Sequence, residues 1–137
     1  MANHSEGVSW RARYATNIPT IDAHHQGLFK VLRMLREASL HGRMEVKVIL
    51  EHLERHTLDH FAAEESLMRR TGFSGLDAHI QDHGQFLRHL GDMERQCKEN
   101  GPGAAAEAVP VLYGWVHDHI LAHDMVFAEH VRSESSS

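Results

Sequence analysis

The sequence lacks the features of a disulfide-bonded, secreted or membrane-spanning protein. Cys97 is the only cysteine, which excludes an internal disulfide and fits a reducing compartment. No apolar run approaches the roughly 18 residues that a membrane-spanning helix needs. The first ten residues contain no apolar segment typical of a secretory signal. We therefore expect a cytoplasmic protein without a membrane span.

Basic patches, proline and strand-like alternation are also scarce. The net charge is -5, and acidic and basic residues are interspersed, so no surface is predicted to bind nucleic acid or an anionic membrane. There are three prolines, and no segment alternates regularly between apolar and polar residues as a half-buried strand does. The 137 residues are enough for one domain with a real core. An all-α domain is the class that fits best.

Three clusters of helix-breaking residues divide the chain into four long segments. The breakers are HGR at 41–43, TGFSG at 71–75 and ENGPG at 99–103. The helices predicted between them span about 21–41, 45–70, 76–98 and 104–131. Short connections between long helices predict an up-down-up-down antiparallel four-helix bundle. We expect residues 1–18 to form an irregular N-terminal arm, 19–132 the bundle and 133–137 a disordered tail.

Histidine is the abundant residue, with fourteen copies. Several lie on the apolar stripe that each helix is predicted to turn toward the core. The nitrogen- or oxygen-bearing members of these stripes are His25, His60, Glu64, His79, His83 and His119. They fall near the starts of the first and third helices and near the ends of the second and fourth. These four helix termini lie at the same end of an up-down-up-down bundle. We therefore expect these side chains to converge on one layer.

Burying five imidazoles and a carboxylate in an apolar layer costs several kcal/mol for each group that lacks a partner. The layer is therefore either a polar hydrogen-bonded network or a metal site. Imidazole and carboxylate ligands without thiolate suit iron, zinc, copper, nickel or manganese. The ligands outnumber those of one tetrahedral zinc, so two carboxylate-bridged metals fit better. The Glu-x-x-His motif of ferritin-like sites and the H-E-x-x-H motif of zincins are both missing.

Five motifs in order resemble the hemerythrin family, in particular its single-domain bacterial members. They are VSWRARYATNIPTID, IDAHHQGLF, HFAAEESLM, HIQDH and HILAHD, and the resemblance covers nearly the whole chain. It implies a non-haem di-iron centre with an oxo or hydroxo bridge that binds dioxygen reversibly. By resemblance, His79, His83 and His119 would hold one iron. His25 and His60 would hold the other, which keeps an open position for dioxygen, and Glu64 and Asp124 would bridge both.

The surroundings of these ligands carry two further expectations. Five apolar residues within about one turn of a ligand would line a dry oxygen pocket as well as forming ordinary core: Leu28, Phe29, Phe61, Trp115 and Ile120. His56 lies one turn before His60, where members of the family often carry an aromatic such as tyrosine. We expect it to support a ligand as a hydrogen-bond donor, to accept protons close to the irons, or to be a partly exposed histidine on the side of the second helix.

Two positions conflict with regular helical spacing. Asp124 lies five residues after His119, roughly 140° away from the ligand face of an ideal helix. His123 is better placed by spacing alone, but the family pattern selects Asp124, so we predict a π-type widening between His119 and Asp124. The stripe of the fourth helix is predicted to be Leu112, Trp115, His119, Ala122 and Val126. Of the adjacent histidines at 24 and 25, His25 is predicted to face inward and His24 outward.

The resemblance favours a protein that binds dioxygen for carriage, storage or delivery to an oxygen-using enzyme. One alternative is an oxygen or redox sensor that acts through a partner protein. Another is a di-iron enzyme that acts on peroxide or nitric oxide. Iron or zinc buffering is the weakest of the alternatives.

Overall fold

The structure, a computed structural model, describes residues 10–136; the parts of the predicted arm and tail at 1–9 and 137 lie outside this range. Its helices are α1 (Pro19–Leu40), α2 (Glu45–Arg70), α3 (Leu76–Asn100), α4 (Ala105–His119), a π-helical segment (Ile120–Asp124) and α5 (Met125–Ser136). Short 3₁₀ turns lie at Ala12–Tyr14 and Pro102–Ala104. The described residues contain no strand, so the predicted all-α class is confirmed.

The four rods of the bundle pack in a ring. The α1 helix contacts α2 and α4, and α3 contacts α2 and α4, while α4, the π-helical segment and α5 together form the fourth rod. Short connections between successive helices make neighbours antiparallel. This arrangement confirms the predicted four-helix bundle. None of the described helices is both long and apolar enough to cross a membrane.

Two glycines end the first two helices where the sequence predicted breaks. Gly42 and Gly72 have positive φ angles of 59° and 67°, which a residue without a Cβ adopts at no steric cost. In each case the next amide reaches back five residues, from Arg43 to the carbonyl of Ala38 and from Phe73 to the carbonyl of Met68. These Schellman-type bonds satisfy carbonyls that the helix end would otherwise leave open.

The apolar core has two parts on either side of a polar layer. The larger part contains Tyr14, Phe29, Leu32, Leu35, Leu53, Phe86, Leu90, Leu112 and other buried residues. The smaller part consists of Ile21, Met68 and Phe127, with partly buried neighbours. Along every rod, the predicted metal ligands lie between residues of the two parts. The bundle therefore encloses the polar layer with apolar residues above and below it.

The predicted stripe of the fourth rod is wrong beyond His119. Ala122 and Val126 are exposed, the latter by 55 %, whereas Phe127 and Ala128 are buried. The π-helical segment inserts one residue into the turn, so every core position after it moves one place along the sequence. The last helix continues to Ser136. It therefore includes residues 133–136, which were predicted to belong to a disordered tail.

Candidate metal centre

The structure brings all seven predicted ligands into one buried layer. Each is at most 3 % exposed. Helix α1 supplies one, α2 and α3 supply two each, α4 supplies one and the π-helical segment supplies the last: His25, His60, Glu64, His79, His83, His119 and Asp124. Because they come from every rod, the layer exists only when the bundle is assembled.

The layer divides into two sets of histidines with Glu64 between them. The three-histidine group consists of His79, His83 and His119, and the two-histidine group consists of His25 and His60. Glu64 Oε1 lies 2.5 Å from Nε2 of His79 and 3.2 Å from Nε2 of His83. The other oxygen, Oε2, lies 3.2 Å from Nε2 of His60. Glu64 therefore turns one oxygen toward each group.

Asp124 repeats this arrangement from the opposite side of the bundle. Its Oδ1 lies 2.9 Å from Nε2 of His79, and its Oδ2 lies 3.0 Å from Nε2 of His25. The π-helical segment at Ile120–Asp124 turns the carboxylate inward, which confirms the predicted widening after His119. His123 stays outside the layer, with 38 % of its side chain exposed.

Charge within the layer is balanced between carboxylates and imidazoles. Burial alone would raise the pKa of Glu64, but the histidines around it hold that pKa well below its ordinary value. Burial and the charge of Glu64 would raise the pKa of Asp124, but His119 and His25 outweigh both effects and hold that pKa below its ordinary value. The pKa of His119 is raised well above its ordinary value because the carboxylates outweigh its burial. Both carboxylates are therefore anionic and attract positive charge.

A purely hydrogen-bonded network does not account for this layer. Glu64 Oε2, His119 Nε2 and both oxygens of Asp124 are buried and have no hydrogen-bond partner, although ring nitrogens lie close to the carboxylates. Contact without hydrogen bonding is what we expect when donor atoms converge on a shared ion. Imidazole nitrogens and carboxylate oxygens also suit a first-row transition metal. The cluster can therefore hold a metal.

Two carboxylates outside the layer support the three-histidine group. The Nδ1–H of His83 donates to Oε2 of Glu65 at 2.8 Å, and the Nδ1–H of His119 donates to Oδ2 of Asp82 at 2.5 Å. The hydrogen bond with His119 lowers the pKa of Asp82, which keeps it anionic. Such bonds fix the tautomer and the ring orientation of a ligating imidazole. The sequence did not indicate this role for Asp82.

The two-histidine group has weaker outer support. Nδ1 of His60 lies 3.0 Å from Nδ1 of His24, and a His60 that ligates through Nε2 donates its Nδ1–H to His24. Nδ1 of His25 is buried and has no hydrogen-bond partner. His24 lies outside the layer, as predicted, but it is half-buried and contacts a ligand, which the sequence did not indicate.

The five predicted pocket residues do not all lie beside the same group. Leu28, Phe29 and Ile120 belong to the larger apolar core. Phe61 stacks on His83 with ring centroids 3.7 Å apart and also lies 5.9 Å from the ring of His60. The half-buried Trp115 stacks on His119 at 4.5 Å. Trp115 therefore covers the three-histidine group, whereas Phe61 lies between the two groups.

His56 supports the backbone of α1. It is half-buried, and its Nε2–H donates to the carbonyl oxygen of His24 at 2.9 Å. Its ring fills the space beside Gly27, where an added Cβ would lie 2.8 Å from Cε1 of His56. This position agrees with the expectation of a partly exposed histidine on the side of the second helix, and its acceptor is the backbone of His24, whose ring contacts His60.

We expect Gly27→Ala to leave the free energy of unfolding nearly unchanged in the wild-type chain, because two opposite effects nearly cancel. Alanine favours the helix by about 1 kcal/mol, but its Cβ displaces the His56 ring and removes a hydrogen bond worth about 1 kcal/mol. In a His56→Ala background only the gain remains, so Gly27→Ala should stabilise by about 1 kcal/mol there. Urea unfolding of the four proteins of this cycle measures the coupling. An identical effect of Gly27→Ala in both backgrounds would contradict the contact.

Comparison with known proteins agrees with this geometry. A family model described as the hemerythrin HHE cation-binding domain matches residues 16–131. A bacteriohemerythrin of Pseudomonas paraeruginosa is 29 % identical over 129 residues, which cover 93 % of this chain and 83 % of the relative. A bacteriohemerythrin of Stenotrophomonas maltophilia is 26 % identical over 125 residues, which cover 90 % of this chain and 81 % of the relative.

A similar relative also exists outside the bacteria. A myohemerythrin of Riftia pachyptila is 26 % identical over 118 residues, which cover 86 % of this chain and 88 % of the relative. No solved structure matches the chain significantly.

Proposed function

The chain belongs to the hemerythrin family, and we propose that it binds dioxygen reversibly at a pair of non-haem iron ions, for oxygen carriage, storage or delivery. The observation that carries the proposal is the division of both carboxylates. Glu64 and Asp124 each turn one oxygen toward the three-histidine group and one toward the two-histidine group. A carboxylate placed in this way is suited to bridging two ions.

The ligand assignment follows from the two groups. One iron would be held by the three-histidine group and the other by the two-histidine group, with an oxo or hydroxo group as a further bridge. The ferrous ions would supply the electrons that reversible binding of dioxygen requires. The two-histidine group offers fewer protein ligands, so we assign the open position to its iron.

The charges of the layer suit two divalent ions. Such a pair brings four positive charges, of which Glu64 and Asp124 offset two and a bridging hydroxide offsets a third. An ion left uncompensated in an apolar interior would be strongly disfavoured. The anionic state of both carboxylates supports this balance.

The buried residues favour release of dioxygen over its chemical conversion. Among residues 10–133, whose side chains the structure describes, every buried histidine, aspartate and glutamate is one of the seven predicted ligands. No further buried acid of these types stands ready to deliver a proton at the centre. Phe61 and Ile120 add apolar cover, which excludes water and slows proton entry. This environment supports a carrier more than an enzyme acting on peroxide.

The proposal is tested by cycling the reduced, iron-loaded protein between air and argon. We expect a visible charge-transfer band that appears in air, disappears when oxygen is removed and returns over several cycles. Zinc-loaded protein is the matched control, because zinc keeps the fold of the site but has no redox chemistry.

Two other results would contradict reversible binding. Immediate and irreversible oxidation in air would favour a sensor, and steady turnover of peroxide or nitric oxide with an added electron donor would favour an enzyme.

A further inference from the structure

The hydrogen bonds behind the ligand histidines follow the order of the helices. Each of the first three helices supports a histidine of the next one: His24 of α1 contacts His60 of α2, Glu65 of α2 accepts from His83 of α3, and Asp82 of α3 accepts from His119 of α4. Among the residues that the structure describes, no such link runs from the last rod back to α1. His25 Nδ1 is buried without a hydrogen-bond partner.

These supports make the two groups chemically unequal. Both carboxylate partners, Glu65 and Asp82, lie behind the three-histidine group. The two-histidine group has an imidazole, that of His24, rather than a carboxylate as its outer partner. A carboxylate that accepts the Nδ1–H of a ligating imidazole raises the basicity of the nitrogen that faces the metal.

Ring packing adds to the difference. The imidazole of His83 lies nearly parallel to Phe61, at an interplanar angle of 6°, and that of His119 lies nearly parallel to Trp115, at 11°. Each of these two histidines is therefore held by an aromatic ring and by a carboxylate. His25 instead meets the edge of the His60 ring at 4.9 Å. A site whose ligands are already fixed loses less conformational freedom when it binds an ion.

Because Glu64 and Asp124 are shared between the groups, they do not favour one group over the other. We propose that the two metal positions fill in a fixed order, with Glu65 and Asp82 as the positioning residues that set it. The three-histidine group binds first and more tightly, and the two-histidine group binds second and releases its ion first. This inference rests on the proposed two-ion centre and extends it to the loading of the protein.

The test is an anaerobic titration of the metal-free, full-length protein with Co²⁺, followed by calorimetry and by the visible ligand-field spectrum. We expect two phases of one ion each, the first at least tenfold tighter. Glu65→Gln and Asp82→Asn keep a hydrogen-bond acceptor but remove its charge. Each should weaken binding at the three-histidine group by about 10- to 100-fold and leave binding at the two-histidine group within threefold, so that the two phases merge or exchange their order. His24→Ala should weaken the second phase alone.

Matched controls separate this effect from a general loss of structure. Glu51→Gln and Asp92→Asn change exposed carboxylates of the same two helices and should leave both phases unchanged. The thermal midpoints of the metal-free variants show whether the bundle is intact. Asp82→Glu restores the charge and should recover part of the affinity lost in Asp82→Asn.

The outcomes distinguish this inference from the proposed function. Two ions with one common affinity, or charge-removing variants that weaken the second phase as much as the first, would overturn the order but leave the two-ion centre standing. Binding of a single ion would contradict the two-ion centre. In that case no filling order exists, and only the preference for the three-histidine group survives, if Glu65→Gln and Asp82→Asn weaken the single ion and His24→Ala does not.

Discussion

Glu64→Gln is expected to abolish binding of both ions at the proposed two-ion centre. The carboxylate is the one side chain of α2 that faces both groups, with Oε1 at 2.5 Å from His79 and Oε2 at 3.2 Å from His60. An amide of the same size carries no charge and offers a single good ligand atom. Removing one partner of a buried charge pair costs roughly 3–5 kcal/mol, which corresponds to a loss of affinity of over a hundredfold.

Metal analysis after equilibrium dialysis measures this loss. Glu51→Gln, an exposed glutamate of the same helix, is the control and should retain the full metal content. Glu64→Asp keeps the charge but shortens the side chain, so we expect weakened binding of both ions rather than complete loss. A Glu64→Gln protein that still binds two ions with wild-type affinity would show that Glu64 is not a bridge.

The bundle could be predicted from the sequence because its helix ends are local. Gly42 and Gly72 adopt the positive φ angles that stop α1 and α2, and this preference depends on one residue and its immediate neighbours. The stripes of α1 and α3 follow regular helical spacing from end to end, so their buried residues could be assigned from periodicity.

The fourth rod shows the limit of periodicity. The family resemblance, which selects Asp124 as a ligand, predicted the widening between His119 and Asp124, but the predicted stripe still placed Val126 in the core. Burial of Phe127 in its place follows from the same inserted residue. A π turn shifts every core position after it by one residue. The predicted widening between His119 and Asp124 therefore already requires Phe127, rather than Val126, in the core.

The outer partners could not be assigned because they depend on the handedness of the bundle. His24, Glu65 and Asp82 are each next in sequence to a predicted ligand, and a neighbour in a helix lies about 100° around the axis. Each therefore lies at the seam with an adjacent helix. Which neighbour it faces depends on whether the helices turn left or right around the ring, and the sequence does not specify that choice.

Removing the metal should reverse the effect of pH on stability. In the metal-free protein, His79 and His119 have a raised pKa because nearby carboxylates outweigh their burial. A pKa raised in the folded state stabilises the protein fully below the unfolded value of 6.5, and this contribution is lost as the pH rises through the folded pKa. Burial lowers the pKa of His60, which opposes this contribution, but two ligand histidines, His79 and His119, shift upward.

The two carboxylates do not change this slope near neutral pH. The pKa values of Glu64 and Asp124 are lowered, so their contribution is present above the unfolded values of 4.5 and 3.8 and is lost only in acid. Between pH 6.5 and 8.5 the thermal midpoint of the metal-free protein should therefore fall.

The metal-loaded protein should behave in the opposite way, because a metal replaces the protons on the imidazoles. Ligating histidines must be neutral, so affinity for the ion rises as they lose protons. At a thousandfold excess over Kd, one bound ion stabilises the folded state by about 4 kcal/mol. For a domain of this size, that is on the order of 10–20 °C in the thermal midpoint.

Thermal unfolding with and without Zn²⁺, at several pH values from 6.5 to 8.5, measures both slopes. The gap between the loaded and metal-free midpoints should widen as the pH rises. His52→Gln, which removes an exposed histidine of α2, should leave both curves unchanged. A constant gap would mean that metal uptake displaces no protons. That result would contradict the raised pKa values of His79 and His119, whose protons the buried carboxylates retain until a metal replaces them.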